Sequence, residues 1–414
     1  MNRTEKLPKL AIYLVVLIML LSFPLAAHAK DKIVIGNAVA LTGPYGVVTE
    51  STTGPVYDMW VEEVNARGGI YVKEYGKRLP VELIRADDKT DLGTNIRLTE
   101  KFILQDKVDF MLAPTGTAFL YAAAPIYNKH KYIMLGGPGG AIKLKEIAAG
   151  LPYFFSVLNF ADTQMVVLAD IYKELGVKSA AVIFIADLHG VEYSGVVVPE
   201  LAKRGIEIRM VQSFPLGIKD LSPLLKKAKA LDVDAFVGIT YPSETFLATG
   251  QAIALGLNFK IFHNNVMPSF PAYRDAFGKD AAGNWVVEGV MGPGAYNKKS
   301  SPGAKGFIDK FMKRFKKEPE YWGGLQYYAS LEFFEQAIQK AGTLDQSVIK
   351  DVMATETFDT FLGPFKFENH FFRGQPGHMG QWQNGIFEVI DPGSKRTAAP
   401  IYPKPPWPKP KPKK

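Results

Sequence analysis

The chain has 414 residues, of which 47% are apolar and 22% charged, and this composition is typical of a globular protein with more than one domain. The formal net charge of +8 is concentrated at the ends, because residues 1–29 carry +2 and residues 401–414 carry +5. The +1 of the remainder argues against a nucleic-acid-binding surface, which would gather lysine and arginine on one folded face. The chain has no cysteine, so disulfides and a lipid-modified cysteine are excluded.

The first 29 residues are predicted to be a cleaved signal peptide. A basic region with three lysine or arginine residues precedes an apolar run at residues 10–21. That run is shorter than the roughly 20 residues of a membrane-spanning helix, and residues 27–29 fit the small-x-small rule for cleavage. We therefore expect cleavage near Lys30 and export to the periplasm.

Strands and helices are predicted to alternate from residue 33 onward. Residues 33–39 are a β-branched run typical of a first strand, and the turn-rich loop that follows contains Tyr45. A helix with apolar residues at helical spacing comes next, and residues 81–85 form the second strand. This alternation predicts α/β architecture with a doubly wound parallel sheet.

Two polar loops are predicted at the ends of neighbouring strands within residues 108–141. In parallel α/β sheets, ligands bind in the crevice outside the carboxyl ends of the strands. Hydroxyls and free backbone N–H groups near helix N-termini suit a small anionic or polar ligand. The alternative is that the glycines only make tight turns. The candidate binding residues in the two loops are Thr115, Thr117, Pro138, Gly139 and Gly140.

The same pattern starts again near residue 152 and predicts a second lobe. Apolar strands are predicted at residues 180–186, 206–211, 235–240 and 260–263. Polar or aromatic side chains follow or end three of these strands, as the first lobe also shows. The candidate binding residues on this side are His189, Tyr241, His263 and Asn265.

The order of these pieces resembles the leucine/isoleucine/valine-binding family of periplasmic solute-binding proteins, which serve ABC importers. The matching segments are LTGPYG at 41–46, VEEVNARGGI at 61–70, ADD at 86–88, AAAPIYNKHKYIML at 122–135, PYFF at 152–155, LSPLLKKAKA at 221–230 and TFDTFLGPFKF at 357–367. No single segment is decisive, but their order and spacing are specific and cover the chain from about residue 33 to residue 390.

The resemblance implies the type I binding-protein fold, with two lobes joined by three crossings that close on a ligand. We place the crossings near Val157, Pro293 and Leu362. The expected division is residues 30–157 with 294–361 as the first lobe, 158–293 with 362–395 as the second, and 396–414 as a Pro- and Lys-rich disordered tail.

The resemblance also implies roles for single residues. Thr117 stands where the family has a hydroxyl that binds the ligand carboxylate, and Gly140 stands where a threonine is usual. Asn265 stands where amino-acid binders have an acid that pairs with the ligand ammonium. Burying an ammonium without a carboxylate costs several kcal/mol, so Asn265 favours a carboxylate or neutral polar ligand. Flat surfaces for an aromatic or unsaturated ligand are offered by Tyr45, His189, Tyr241 and His263.

The expected function is the capture of a small polar or carboxylate ligand, namely an amino acid, aromatic acid or keto acid. The partners implied are the permease and ATPase complex of an ABC importer in the inner membrane. We expect a monomer without cofactor, metal ion or enzymatic activity. The alternative is a ligand sensor of the same fold for amide- or urea-like compounds, and a third possibility is an exported α/β enzyme.

Overall fold

The computed structural model describes residues 30–140, 142–158, 160–372 and 378–408. The predicted signal peptide and the last six residues of the predicted tail lie outside the described residues. Among the helices described, none is long and apolar enough to cross a lipid bilayer. The described chain folds into two α/β lobes, each built on its own sheet.

The first lobe contains a five-stranded sheet in which every neighbouring pair is parallel. Its strands are β1 Ile33–Val39, β4 Val81–Asp87, β5 Phe110–Leu112, β6 Met134–Leu135 and β7 Phe154–Phe155, in the order β4-β1-β5-β6-β7. The sequence supplies near-continuous apolar runs here because helices cover both faces of a parallel sheet. A separate antiparallel hairpin joins β2 Ile70–Val72 to β3 Lys77–Leu79.

The helices of the first lobe alternate with its strands along the chain. They are α1 Gly46–Val48, α2 Gly54–Ala66, α3 Leu92–Glu100, α4 Thr117–Lys129 and α5 Lys143–Ala148. A π-helical turn at Thr49–Thr53 links α1 to α2, and a second one at Lys101–Gln105 extends α3. The α3 helix begins where the Asp91 side chain accepts a hydrogen bond from the Thr94 N–H at 2.7 Å. Trp60 on α2 is only 2% exposed and packs in the core.

The second lobe contains a seven-stranded sheet of mixed direction. Its strands are β8 Ser179–Ile185, β9 Glu207–Phe214, β10 Ala235–Ile239, β11 Ile261–Asn264, β12 Met291–Pro293, β16 Met379–Gln383 and β17 Ile386–Asp391, in the order β17-β16-β12-β11-β10-β8-β9. The pairs from β9 to β12 are parallel, and β16 and β17 add an antiparallel edge. Its helices are α6 Ala161–Glu174, α7 Leu188–Lys203, α8 Ser222–Ala230, α9 Pro242–Ala254 and α10 Pro271–Phe277.

The chain returns to the first lobe after β12. The returning elements are α11 Pro302–Phe315, α12 Gly324–Ala341, α13 Gln346–Thr355, β13 Thr357–Thr360, β14 Gly363–Glu368 and β15 Phe371–Phe372. Helix α12 packs against α2, and the antiparallel strands β13 and β14 pack against α12 and α13. Leu362 lies in the turn between β13 and β14 and not in the crossing that we predicted there, and the next described strand of the second-lobe sheet, β16, begins at Met379. The residue types that form this hairpin turn are also typical of linkers, so the sequence alone did not distinguish a turn from a crossing.

The C-terminal segment differs from the disordered tail that we expected over residues 396–414. Residues 396–408 follow an extended path along the second lobe, where Trp407 is 5% exposed. Its indole N–H donates to the Leu257 carbonyl at 2.9 Å, and its ring packs edge-on against Phe262 with centroids 5.3 Å apart. The many prolines and lysines are typical of a disordered tail, and for that reason the packing of Trp407 against the second lobe was not predicted.

Replacing Trp407 with alanine should release residues 396–408 from the second lobe. Truncating a buried aromatic side chain in a core reduces the free energy of unfolding by about 3–5 kcal/mol. In a terminal segment the loss is smaller, because the segment can detach while the rest of the lobe stays folded. We expect hydrogen exchange of backbone amides in residues 396–408 to accelerate. The control Tyr71→Ala removes an aromatic ring that is 44% exposed. Unchanged exchange in the Trp407 variant would contradict the packing described.

Candidate ligand-binding site

A cavity lies between the two lobes, where the carboxyl ends of their parallel strands face each other. The loops after β5 and β6 line it from the first lobe, and the loops after β8 and β10 line it from the second. Its volume is about 50 Å³, which exceeds the roughly 10–15 Å³ that one water molecule requires. This is the position at which open α/β sheets bind ligands.

Eight of the ten predicted binding residues line this cavity. They come from the segments that follow five strands, β1, β5, β6, β8 and β10, which the fold brings together across the cleft. These residues are Tyr45, Thr115, Thr117, Pro138, Gly139, Gly140, His189 and Tyr241.

The two first-lobe loops are held against each other by backbone contacts. The Gly116 N–H donates to the Pro138 carbonyl at 2.7 Å. Gly116 has φ of 101°, a left-handed conformation that favours glycine. A Cβ on Gly139 would lie 2.4 Å from a methyl group of Leu120 and 3.1 Å from the Thr117 Cα. Glycine is therefore required for the close approach of the loops, in addition to any turn it makes.

Thr117 lies at the point where these loops meet the α4 helix. It is the first residue of the helix and is 2% exposed. The first N–H groups of a helix have no intrahelical partner, and the helix dipole favours negative charge there. No other described residue forms a hydrogen bond with the Thr117 hydroxyl. The hydroxyl and the adjacent N–H groups together make this corner suited to a carboxylate or another oxygen acceptor.

A column of three aromatic rings crosses the cleft. The Tyr241 ring lies between Tyr45 of the first lobe and His189 of the second, with centroids 4.7 Å and 4.9 Å away. His189 also contacts Tyr193 at 4.4 Å. These rings are almost fully buried, so their contacts close one side of the cavity. A ligand that enters here meets flat, mostly apolar surfaces.

Burial keeps His189 in the second-lobe wall uncharged. It lowers the pKa of His189 to about 3, so the imidazole is neutral at physiological pH. Burial also raises the pKa of the Asp187 carboxyl, which accepts a hydrogen bond from the Gly190 N–H at 2.9 Å and faces the Tyr241 hydroxyl. The Tyr241 hydroxyl also lies beside the Tyr45 hydroxyl, so polar groups of both lobes meet at this point.

The other two predicted residues, His263 and Asn265, lie behind the cavity wall. His263 is within β11, where it pairs with Val237 and Met291, and it is fully buried, with no hydrogen-bond partner for either ring nitrogen among the described residues. Asn265 is also buried, and its Nδ2 lies 3.5 Å from the His189 Nε2. The strand extends one residue beyond the predicted end, so His263 packs inside the lobe while Asn265 supports His189.

The sequence argument missed a segment before α12 that contributes an acid to the cavity. Glu320 is 2% exposed and accepts hydrogen bonds from the backbone N–H groups of Trp322, at 2.7 Å, and Gly324. Burial raises the pKa of Glu320 to about 7. The sequence signal for this segment is an acid three residues before a Gly-Gly pair at the start of a helix.

Glu320 changes the electrostatic character that we expected of the site. Among the described residues that line the cavity, none is lysine or arginine, and Glu320 is the one carboxylic acid. The sequence has no acid at position 265, and the acid in the cavity lining comes instead from Glu320. The other lining residues that sequence reasoning missed are the apolar or aromatic Val48, Leu158, Tyr193, Val266, Phe270, Trp322 and Tyr327, together with Thr52, Gly116 and Gly323.

Comparison with known families agrees with this geometry. The sequence profile of the family described as periplasmic binding protein matches residues 32–385. The chain belongs to the periplasmic binding protein family. The resemblance to leucine/isoleucine/valine-binding proteins and the two-lobed α/β fold are both confirmed.

The individual relatives have low sequence identity to this chain, but they align with it over most of their length. Leu/Ile/Val-binding protein homolog 7 of Brucella suis biovar 1 is 23% identical over 384 residues, which cover 89% of this chain and 93% of that protein. A leucine-binding protein from Thermotoga maritima superposes with a TM-score of 0.73 at 21% identity, over 86% of this chain and 97% of its own. A solute-binding protein of an ABC transporter from Rhodopseudomonas palustris, in complex with 3,4-dihydroxybenzoic acid, gives a TM-score of 0.72 at 17% identity, over 91% and 99%.

The buried histidines predict how stability depends on pH. Burial lowers the pKa of His263 to about 3 from an ordinary value of 6.5, so its contribution to stability is complete above pH 6.5 and is lost as pH falls toward 3. We expect His263→Leu to gain stability relative to the unmodified protein as pH decreases from 7 to 5. The gain in the free energy of unfolding is at most about 1.4 kcal/mol for each pH unit below 6.5.

Unfolding in denaturant at several pH values measures this difference. The matched control is His130→Leu, at a histidine that is only partly buried. A difference between His263→Leu and the unmodified protein that stays constant between pH 7 and pH 5 would show that His263 is not buried as described.

Proposed function

We propose that the protein is the periplasmic substrate-binding component of an ABC importer of the branched-chain amino acid type. It captures a small polar or carboxylate ligand between its lobes and delivers it to the permease and ATPase complex in the inner membrane. The observation that supports this most is the buried inter-lobe cavity, which combines a helix N-terminus with aromatic walls. The predicted signal peptide is consistent with a periplasmic location.

The first-lobe corner supports recognition of a carboxylate. The Thr117 hydroxyl and the N–H groups that begin α4 offer several donors in a buried place. Hydrogen bonds from such donors to an anion are roughly twice as strong as neutral ones. Thr115 is also buried, and its hydroxyl lies 3.2 Å from that of Thr49, which fixes the loop. The fold relatives add that both leucine and an aromatic acid are bound by proteins of this architecture.

Closure of the lobes supports a capture-and-release mechanism. The Tyr45 and Tyr241 rings come from opposite lobes, and α5 adds an ion pair and a hydrogen bond between the lobes. Lys145 pairs with Asp162 at 2.5 Å, and the Lys143 N–H donates to a second-lobe glutamate, Glu192, at 3.0 Å. Hinge closure in such folds is absorbed by a few residues in the crossings. The closed arrangement is the form that we expect the permease to recognise.

Replacing Thr117 with alanine should weaken binding while leaving the fold intact. A thermal-shift screen of amino acids, aromatic acids, short keto acids and amides first identifies a ligand, and calorimetry then gives its affinity. The loss should be about 1–3 kcal/mol if the hydroxyl binds a buried ligand oxygen.

The control for that experiment is Thr163→Ala, in the first turn of α6. The Thr163 hydroxyl donates to the Phe160 carbonyl at 2.8 Å and does not line the cavity. Equal affinity of the Thr117 and Thr163 variants would place the binding site elsewhere.

A further inference from the structure

A second pocket lies beside the segment that joins β12 of the second lobe to α11 of the first. It has a volume of about 390 Å³ and shares no lining residue with the inter-lobe cavity. The joining segment forms one wall, Leu362 and Pro364 of the first-lobe hairpin form another, and the residues that follow β17 form a third. Both lobes therefore contribute to this pocket.

The lining of the second pocket is cationic. Lys299, Lys395 and Arg396 line it, and none of its described lining residues is an aspartate or a glutamate. Four hydroxyl side chains add further hydrogen-bonding groups, namely Ser300, Ser301, Ser394 and Thr397. Cationic side chains form short, strong hydrogen bonds with phosphate and carboxylate oxygens, so this lining suits an anion.

A buried acid behind the wall fixes the position of Lys299. The Lys299 ammonium pairs with Glu388 of β17, whose side chain is only 4% exposed. The second Glu388 oxygen accepts hydrogen bonds from the Thr397 hydroxyl at 2.6 Å and from the Asn297 amide at 3.0 Å. An ammonium has three N–H donors, so two remain for an anion in the pocket. Because Lys299 is already ordered, binding an anion costs less conformational entropy.

Arg396 is fixed by contacts with residues that do not line the pocket. Its Nε donates to the Ile390 carbonyl at 2.6 Å, and its two terminal nitrogens donate to Glu174 at 3.0 Å and 2.9 Å. The Asp391 carboxyl lies 3.6 Å away from it. The guanidinium therefore adds positive charge to the wall but has few donors left for a ligand.

Lys395 adds a positive charge that has no acidic counterpart at ion-pair distance. Its side chain is exposed, and among the residues that the structure describes none forms an ion pair with it. A hydroxyl donor is also present in the same lining. The Ser301 oxygen accepts the Ala304 N–H at 3.0 Å, so its own O–H proton can be donated to a ligand.

We propose that the second pocket binds a soluble anion of the phosphate type, such as inorganic phosphate or a small phosphate monoester. Such an anion accepts hydrogen bonds from the Lys395 ammonium, the two remaining N–H groups of Lys299 and the Ser301 hydroxyl. A phosphate carries up to two charges and several strong acceptor oxygens. It therefore gains more from this lining than a carboxylate, which has one charge and two oxygens.

The second pocket also bears on the closure of the lobes. Tyr45 and Tyr241 of opposite lobes lie with ring centroids 4.7 Å apart, so the lobes touch in the same arrangement in which the pocket is formed. An anion that bridges walls from both lobes favours this arrangement. By thermodynamic reciprocity, the ligand of the inter-lobe cavity then binds more tightly. This consequence rests on the proposed function, whereas the binding of phosphate does not.

The test titrates the whole mature protein with inorganic phosphate and with glycerol 3-phosphate, at an ionic strength held constant with sodium chloride. Calorimetry should show saturable binding of one anion per molecule. Vesicles of phosphatidylglycerol and of phosphatidylcholine separate a soluble anion from a lipid headgroup. No saturable binding of either soluble anion would overturn the proposal, whether or not the vesicles bind.

Two substitutions of Lys395 then locate the bound anion. Lys395→Gln should weaken phosphate binding by up to about fivefold, as expected for an exposed ion pair, and Lys395→Glu should abolish it. Neither change disturbs packing, because the side chain is exposed. The matched control is Lys298→Gln, at a lysine that pairs with Asp309 at 2.7 Å and does not line the pocket. Equal phosphate affinity of the Lys395→Glu variant and the unmodified protein would overturn the proposal.

The coupling to closure is measured with a ligand from the binding screen. Its affinity should increase about fivefold when phosphate is saturating, and this increase should disappear in the Lys395→Glu variant. Unchanged ligand affinity would contradict the coupling and leave the anion site in place. Phosphate binding in a protein for which the screen finds no ligand would contradict the proposed function alone.

Discussion

Parallel strands release their following loops at one edge of a sheet, and the two sheets of this protein direct those edges toward one cleft. Almost every feature of the site depends on that constraint. It brings Thr117 and the Gly136–Gly140 loop from the first lobe close to His189 and Tyr241 from the second. The glycines permit the first-lobe loops to touch, and their contact exposes the N-terminus of α4 to the cavity.

The cavity has two chemically different ends. The α4 end offers hydroxyl and N–H donors, whereas the Glu320 end offers a carboxylate beside aromatic rings. Burial strengthens both interactions because the surrounding medium has a low dielectric constant. It also makes an incomplete match expensive, since a ligand that fails to pair with either end leaves a buried polar group unsatisfied. Specificity in such a site comes from the cost of leaving a buried polar group unsatisfied as much as from the hydrogen bonds that the correct ligand makes.

The sequence was sufficient for the fold and for most of the cavity, because strand periodicity and turn chemistry are local signals. Eight predicted residues line the cleft. His263 was predicted to line the cavity, but β11 extends one residue further than predicted and encloses it. Leu362 was predicted to lie in a crossing, but it lies in a hairpin turn. Glu320 and Trp407 were missed for another reason. Their positions depend on tertiary packing with distant segments, which neither local composition nor spacing encodes.

The most direct test of the account is a crystal structure of the protein with a saturating ligand from the binding screen. The account predicts ligand density in the inter-lobe cavity, with its carboxylate within hydrogen-bond distance of the Thr117 hydroxyl and the first N–H groups of α4. Density at another surface, or a ligand in the cleft with its carboxylate away from Thr117, would contradict the account.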